Sequence, residues 1–344
     1  MSTYEQITSQ LKNRPRTWLI TGVAGFIGSN LLETLLGVGQ RVIGLDNLVS
    51  GHRKNLDEVR ASVTAEQWGR FQFVEGDIAD LAACRSAMAG VELVLHQAAL
   101  GSVPKSMSDP LGCHRSNVTG FLNVLTAARD AGARRVVYAS SSAVYGDDRE
   151  TSKSEAVIGR PLSPYAASKR MNEIYAEAYA QAYGFESIGL RYFNVFGPRQ
   201  DPEGDYAAVI PKWIAAMLRQ EAVFINGDGE TSRDFCFIAN VVQANLLAAV
   251  TENREAVNRV FNVALGERTT LNQLFAALKE QVSRADGAIA GIKPSYRDFR
   301  AGDIRHSLAD VGLARRVLGY QPTHNLAQGI ESAMAWYRSQ FAKA

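Results

Sequence analysis

Cysteine is scarce in this chain: 344 residues carry only three, Cys84, Cys113 and Cys236. An odd number with no Cys-x-x-Cys spacing argues against a disulfide framework and against a zinc site, so the three read as ordinary thiols and no metal is expected. Also missing is any uninterrupted apolar run long enough to span a bilayer. The segment from Met1 to Arg16 has no apolar stretch of the secretory kind and reads as an amphipathic helical extension around Tyr4, Ile7 and Leu11. The default expectation is a cytoplasmic protein with no membrane role. Charge of one sign is lacking as well. The formal net charge is +2 with no block of like charge, so nothing in the sequence asks for nucleic acid. Internal repeats and low-complexity tracts are absent.

What is present, between residue 16 and about residue 191, is an alternation of short apolar runs with stretches of helical period. Strands are expected at Thr17–Ile20, Arg41–Leu45, Phe71–Glu75, Leu93–His96, Arg135–Ala139 and Ser187–Leu190. Helices are expected at Gly25–Leu36, Asp80–Ala89, Asn117–Ala131 and Pro164–Tyr183, the last with Ser163 as N-cap and Pro164 in its first turn. This is the pattern of repeated βαβ units: an α/β fold with a doubly wound parallel sheet of Rossmann type. Beyond Phe193 the alternation becomes irregular, with helices expected at Ala207–Arg219, Ile238–Val250 and Leu271–Val282. The expected division is 1–191 for a dinucleotide-binding domain and 192–344 for a smaller α/β lobe that binds substrate, with interleaving of the two left open.

The first strand runs into Thr21-Gly22-Val23-Ala24-Gly25-Phe26-Ile27-Gly28, a Gly-x-x-Gly-x-x-Gly turn that opens a helix. Glycines permit the tight turn and a close approach of backbone to pyrophosphate, and the helix N-terminus favours the phosphate charge. The spacing alone is weak; its place between a strand and a helix strengthens it. The second strand ends at Asp46, followed by Asn47, and an acidic group there accepts the adenosine ribose hydroxyls while repelling a 2′-phosphate. NAD is therefore expected, although nearby Arg53 and Lys54 leave NADP open. Asp77 and Ile78 after the third strand, and Gln97, Ala98 and Ala99 after the fourth, complete the candidate cofactor loops.

Tyr165 and Lys169 stand four residues apart, hence on one face of a helix. An ordinary phenol has a pKa near ~10, and bringing it toward neutrality needs ~4 kcal/mol of differential stabilisation, to which an ammonium and a positively charged nicotinamide contribute. A third element, Ser140-Ser141-Ser142-Ala143-Val144-Tyr145-Gly146, places hydroxyls at the end of the fifth strand. Singly, each feature has a bland reading as a surface pair or a turn; their shared position at the carboxyl edge of the sheet makes them a candidate site.

With these motifs in this order, the sequence resembles the extended short-chain dehydrogenase/reductases, specifically the nucleotide-sugar 4-epimerases and dehydratases. The resemblance implies Ser141, Tyr165 and Lys169 as catalytic residues, Tyr165 as the base. Dehydratases of the group carry an Asp-Glu pair where this chain has Ser142-Ala143, so dehydration is disfavoured. Arg191-Tyr192-Phe193-Asn194-Val195-Phe196-Gly197-Pro198, Ser232-Arg233-Asp234-Phe235 and Arg300-Ala301-Gly302-Asp303 are similar to segments that hold the nucleotide diphosphate. From these, Tyr192 joins the cofactor set, and Asn194, Arg233 and Arg300 the substrate set. Gly101, Ser102, Ser141, Ser142, Gln200, Val209 and Ser307 are further candidates for substrate contact, with Tyr206 a weaker one.

Through Leu45-Asp46-Asn47, the run from His96 to Pro104 and the run from Asp205 to Trp213, the sequence resembles bacterial UDP-N-acetylglucosamine 4-epimerases of surface-polysaccharide pathways. It departs from them at Ala143-Val144, where they continue with Ser and Thr, which removes a contact to the sugar. Ser307 stands where a bulky Tyr in such epimerases restricts the pocket to glucose and galactose, so the smaller side chain implies acceptance of N-acetylated sugars; the alternative is that Ser307 caps a helix following Leu308. The resemblance implies reversible 4-epimerisation of a UDP-N-acetylhexosamine through a bound 4-keto sugar, and a homodimer through the helices at Asn117–Ala131 and Pro164–Tyr183. An epimerase of UDP-N-acetylhexosaminuronic acid or UDP-glucose, a net NAD-dependent dehydrogenase or reductase, and an NAD-sensing regulator stand as alternatives.

Overall fold

The computed structural model describes residues 2–202, 208–284, 289, 291–299 and 305–341. Seven strands form one parallel sheet: β1 (Thr17–Thr21), β2 (Arg41–Asp46), β3 (Phe71–Glu75), β4 (Leu93–His96), β5 (Arg135–Ser141), β6 (Ser187–Tyr192) and β7 (Val260–Val263). Their spatial order is β7-β6-β5-β4-β1-β2-β3, with every neighbouring pair parallel. The first six fall where the apolar runs predict them, and four of these extend a residue or two further, to Thr21, Asp46, Ser141 and Tyr192. These extra residues carry the site, because loops leaving the carboxyl ends of the strands face the ligand crevice. Strand β7 was not expected. Its four residues are interrupted by buried Asn262, and it comes from beyond residue 192, so the segment assigned to the second lobe returns to complete the sheet.

Helices cover both faces. On one side, α1 (Thr3–Asn13), α2 (Phe26–Gly37) and the later helix Ile238–Val250 pack with Trp18, Ile20, Val137 and Ile188. On the other, Gly120–Asp130 and Pro164–Tyr183 pack with Leu19, Val94, Val136 and Tyr138. Sheet residues of consecutive number thus point to opposite layers, and strands buried on both faces read in sequence as continuous apolar runs. The N-terminal extension forms the expected amphipathic helix, with Ile7 and Leu11 buried. Helix Pro164–Tyr183 begins as its sequence specifies: Ser163 Oγ accepts from Ala166 N, Pro164 occupies the first turn, and Gly184 ends it at φ +64. The helix expected over Asn117–Ala131 is instead a π-turn at Arg115–Thr119 followed by Gly120–Asp130.

The rest of the chain contributes helices Val209–Leu218, Leu271–Ser283 and Leu326–Phe341, which pack on one another, together with short strand pairs. Among these, Ser232–Arg233 lies antiparallel to Thr269–Thr270, and Leu308–Ala309 lies parallel to Ser152–Lys153. Among the described residues no helix is long and apolar enough to cross a membrane.

Candidate active site

The strand order reverses about β1 and β4, and a cleft opens there. Gly22, Gly25, Phe26, Ile27, Asp46 and Asn47 line one side, and Asp77, Ile78, Gln97, Ala98, Ala99 and Gly101 the other. Every one of these was expected from the sequence. Two of the glycines are obligatory. Gly22 has φ +70 and a Cβ there would sit 2.7 Å from Ala98 N, while a Cβ on Gly28 would sit 2.0 Å from Gly22 O. The β1, α2 and β4 backbones are therefore packed against one another with no room for a side chain. Gly25, the α2 N-cap, offers the first-turn amides no side-chain acceptor, which suits an anionic ligand at that terminus.

Asp46 is buried at the end of β2 and accepts from Ala24 N (2.9 Å) and Leu48 N (2.8 Å), one bond to each carboxylate oxygen. Each oxygen keeps a second acceptor site for a ribose hydroxyl. Burial pushes this carboxyl above its ordinary value, opposed by the two amides and by His52. Arg53, one of the two residues that left NADP open, pairs with Glu75 and lies 5.4 Å over the Phe73 ring. Lys54 lines a separate groove with His52, Arg199 and Trp336. A 2′-phosphate would meet the Asp46 carboxylate, whereas free ribose hydroxyls find their acceptor, so the residues present fit NAD.

The phenol, the ammonium and the serine also come together. The Tyr165 phenol faces the Ser141 hydroxyl; burial pushes the phenol above its ordinary value and the hydroxyl draws it back. One turn along the same helix, Lys169 is 3% exposed, and its Nζ donates to Ala139 O (2.8 Å) and lies 6.0 Å from the Tyr165 ring centroid. Burial lowers the Lys169 ammonium to about 8. Close by, at the end of β4, burial and Lys169 pull His96 down to about 3, so it is neutral, with Nδ1 2.8 Å from Thr21 Oγ1. Ser141 Oγ also accepts from Ala143 N (3.1 Å), which starts the short 3₁₀ turn Ser142–Tyr145 and places Ser142 beside the same edge.

The substrate candidates are more scattered. Arg233 Nη1 folds back on Ser232 O (3.0 Å) and Arg305 O (3.4 Å), and Ser307 N donates to Ser232 O (3.2 Å), which makes Arg233 and Ser307 near neighbours. No helix follows Leu308 directly. Leu308–Ala309 is a strand and the next helix starts at Gly312 with Val311 as N-cap, so the reading of Ser307 as a helix cap is corrected. Ser102 caps the helix Val103–Ser108 through Lys105 N. Asn194, at φ +33, donates to Asp234 O (2.9 Å). Val209 opens its helix and packs partly on the core. Gln200 does not line the cofactor cleft: its side chain donates to Val195 O and borders the groove with Lys54. Tyr192, the cross-strand neighbour of Ser141, bonds through its hydroxyl to Gln97 (3.1 Å) and Asn245 (3.2 Å). Arg300 and Tyr206 lie outside the described residues.

Two residues that sequence reasoning passed over organise the site. Asn117, in the π-turn, accepts from Leu100 N (2.8 Å), donates to Leu100 O (3.2 Å) and to Ser168 Oγ (3.0 Å), and its own carbonyl accepts from Asn172 (2.9 Å). It thereby joins the loop before Gly101 to the helix that carries Tyr165 and Lys169, and the widened turn accommodates it. Asp234, fully buried, accepts from Leu265 N, Gly266 N and Ala309 N, and burial raises it to about 6 against those bonds. It fixes the strand of Arg233 to the segments on either side. An Asn within a helical pattern and an Asp within a recognised motif gave no separate signal.

Comparison with known proteins agrees with this geometry. The sequence profile described as Epimerase, NAD dependent epimerase/dehydratase family, matches residues 18–264. A UDP-glucose 4-epimerase of Mycolicibacterium smegmatis is 38% identical over 325 residues, covering 94% of this chain and 98% of that protein. Among solved structures, a UDP-glucose 4-epimerase of Thermotoga maritima with UDP-glucose superposes with a TM-score of 0.84 at 35% identity, covering 94% of this chain and 99% of its own. A UDP-N-acetylglucosamine 4-epimerase of Methanobrevibacter ruminantium, in complex with UDP-N-acetylmuramic acid, gives 0.86 at 35% identity, covering 95% and 99%. With a profile spanning well over half its length, relatives matched almost end to end and a cleft that fits NAD, this chain belongs to the NAD dependent epimerase/dehydratase family and is an NAD-dependent epimerase.

Proposed function

We propose that the enzyme inverts C4 of a UDP-N-acetylhexosamine, interconverting UDP-N-acetylglucosamine and UDP-N-acetylgalactosamine through a bound 4-keto sugar. The observation that carries the reading is the Tyr165 phenol with the buried Lys169 ammonium one turn away, 6.0 Å from its ring, and the Ser141 hydroxyl facing it. Tyr165 takes the proton of the sugar 4-hydroxyl and returns it after the ring has turned over. Lys169, held on the Ala139 carbonyl, lowers the cost of the phenolate through its ammonium, and Ser141 donates to the reacting oxygen. Bound NAD supplies a hydride acceptor and later the hydride itself. Gly22, Gly25, Phe26, Ile27, Asp46, Asn47, Asp77, Ile78, Gln97, Ala98 and Ala99 would hold it, with residues 1–191 as the principal cofactor unit and 192–344 gripping mainly the nucleotide-sugar. The Arg233 guanidinium secures the diphosphate while the sugar swings, and Asp234 holds Arg233 in place.

The N-acetyl preference is supported by the small Ser307 beside Arg233 and by the relative that is a UDP-N-acetylglucosamine 4-epimerase. The partner we propose is a second copy, docked through Gly120–Asp130 and Pro164–Tyr183. The latter exposes Met171, Ile174 and Tyr175, and sedimentation as a monomer at micromolar concentration would refute this.

The substrate test is NMR of the purified enzyme with UDP-N-acetylglucosamine, UDP-N-acetylglucosaminuronic acid and UDP-glucose in parallel, without added dinucleotide. Conversion of the first to its C4 epimer, with NAD retained by the protein, is the expected result. Turnover of UDP-glucose with UDP-N-acetylglucosamine inert would overturn the N-acetyl assignment.

A further inference from the structure

Tyr165, Lys169 and Glu173 are spaced four apart and so climb one face of helix Pro164–Tyr183 a turn at a time. Each meets one of the last three residues of β5. Tyr165 faces the Ser141 hydroxyl, Lys169 Nζ donates to Ala139 O (2.8 Å), and Ser140 Oγ donates to Glu173 Oε1 (2.6 Å). The first two of these contacts belong to the chemistry described above; the third does not touch it.

Glu173 is only 4% exposed, yet it is fully partnered. Arg191, which stands directly opposite Ser140 in the β5–β6 register, grips it at both oxygens, Nε to Oε1 and Nη2 to Oε2, each at 2.9 Å. Arg170 adds a bond to Oε2 (3.0 Å). Burial pushes the carboxyl up, but the Arg191 guanidinium outweighs it and holds Glu173 below its ordinary value, so it is an anion. Arg191 Nη1 donates to Tyr145 OH (3.0 Å), which donates in turn to Asn262 on β7 (2.6 Å). One carboxylate therefore ties the catalytic helix to two adjacent strands, and the second of these to the end of the 3₁₀ turn that begins after Ser141.

We infer that Glu173 is a positioning residue: by fixing Ser140 against the helix, it holds the adjacent Ser141 hydroxyl on the Tyr165 phenol. A buried ion pair is a weak device for stability, since desolvation offsets its attraction. A two-point guanidinium–carboxylate contact, by contrast, fixes geometry. Ser140 and Ser141 share a peptide unit, so play at one is transmitted to the other, and misplacement by ~1 Å near reacting groups costs up to ~100-fold in rate. The groups facing the phenol are Lys169 on its own helix, Ser141 from β5 and Cys113 from helix Pro110–His114; Glu173 reaches it only through Ser140 and Ser141.

The inference rests on Ser141 and Tyr165 being the reacting pair. The experiment measures kcat, KM and the pH profile of kcat/KM for Ser140→Ala in the parental and the Ser141→Ala backgrounds, with the UDP-sugar the parental enzyme turns over. Ser140→Ala is expected to lower kcat about tenfold with KM within about twofold, as for loss of one hydrogen bond to a charged group. The acid limb should move to higher pH, because a slackened Ser141 bond leaves the phenol harder to ionise. Once Ser141 is alanine, Ser140→Ala should cost nothing further. Glu173→Gln, where it folds, should show the same limb shift. Losses that multiply across the two backgrounds, or an unmoved limb, would overturn the role of Glu173. Parental kcat in Ser141→Ala alone would instead remove the reacting pair, an outcome distinguishable from the first.

Discussion

The β5 edge and the Arg233 segment are built in opposite ways. At β5 the working side chains are fixed from within: Lys169 is 3% exposed and bonded to a strand carbonyl, and Glu173 ties two strands to the catalytic helix. Around Arg233, the neighbouring Arg305 is exposed, and order comes from backbone amides gathered on Asp234. The contrast matches the two tasks proposed for these segments. Proton transfer requires a few groups held to within fractions of an ångström, whereas a sugar that must present both faces needs a firm hold at the diphosphate and freedom beyond it.

That contrast can be broken by substitution. Tyr165→Phe deletes the proton acceptor and keeps the ring, so kcat should fall by ~10²–10⁴-fold with UDP affinity within about twofold of parental. Stopped assays with calorimetric UDP binding check both halves, and retained turnover would remove Tyr165 from the chemistry. Arg233→Ala should do the reverse, weakening UDP binding by about 10–100-fold through loss of charge-assisted hydrogen bonds while the limiting rate changes less. Unchanged UDP affinity in a folded variant would return Arg233 to a purely structural role at its strand. The smallest effect is expected from Ser307→Tyr. A bulkier wall should cost about tenfold in kcat/KM for UDP-N-acetylglucosamine, by strain of ~1–3 kcal/mol, and leave UDP-glucose turnover little affected. Equal loss on both sugars would show that the segment, not the side chain, matters.

The glycine turn, Asp46 and the Tyr165/Lys169 pair were legible because each is a local pattern whose chemistry depends on spacing along one element. The bonding of the Gln200 and Tyr192 side chains was not legible, because motif position does not say which face of a strand or loop a side chain takes. Next to Ser141 in the register, Tyr192 turns into the core and spends its hydroxyl on Gln97 and Asn245. Strand β7 escaped notice because four residues containing a buried Asn carry too little periodicity to be read alone. Asn117 escaped for a related reason: a polar residue in a helical stretch is ordinary until the loop it clamps is known.

By itself, then, the sequence determined the alternating α/β order, the cofactor cradle with its preference for NAD, and the pairing of a phenol with an ammonium. All of these are set by residues within a turn or a strand of one another, where bond geometry leaves few alternatives. Only the tertiary structure decided that Asp234 gathers three distant amides, that Asn117 joins a loop to the catalytic helix, and that Glu173 shares its charge between Ser140 and Arg191. Such buried polar groups must find partners, and those partners come from whichever segments the packed core brings alongside.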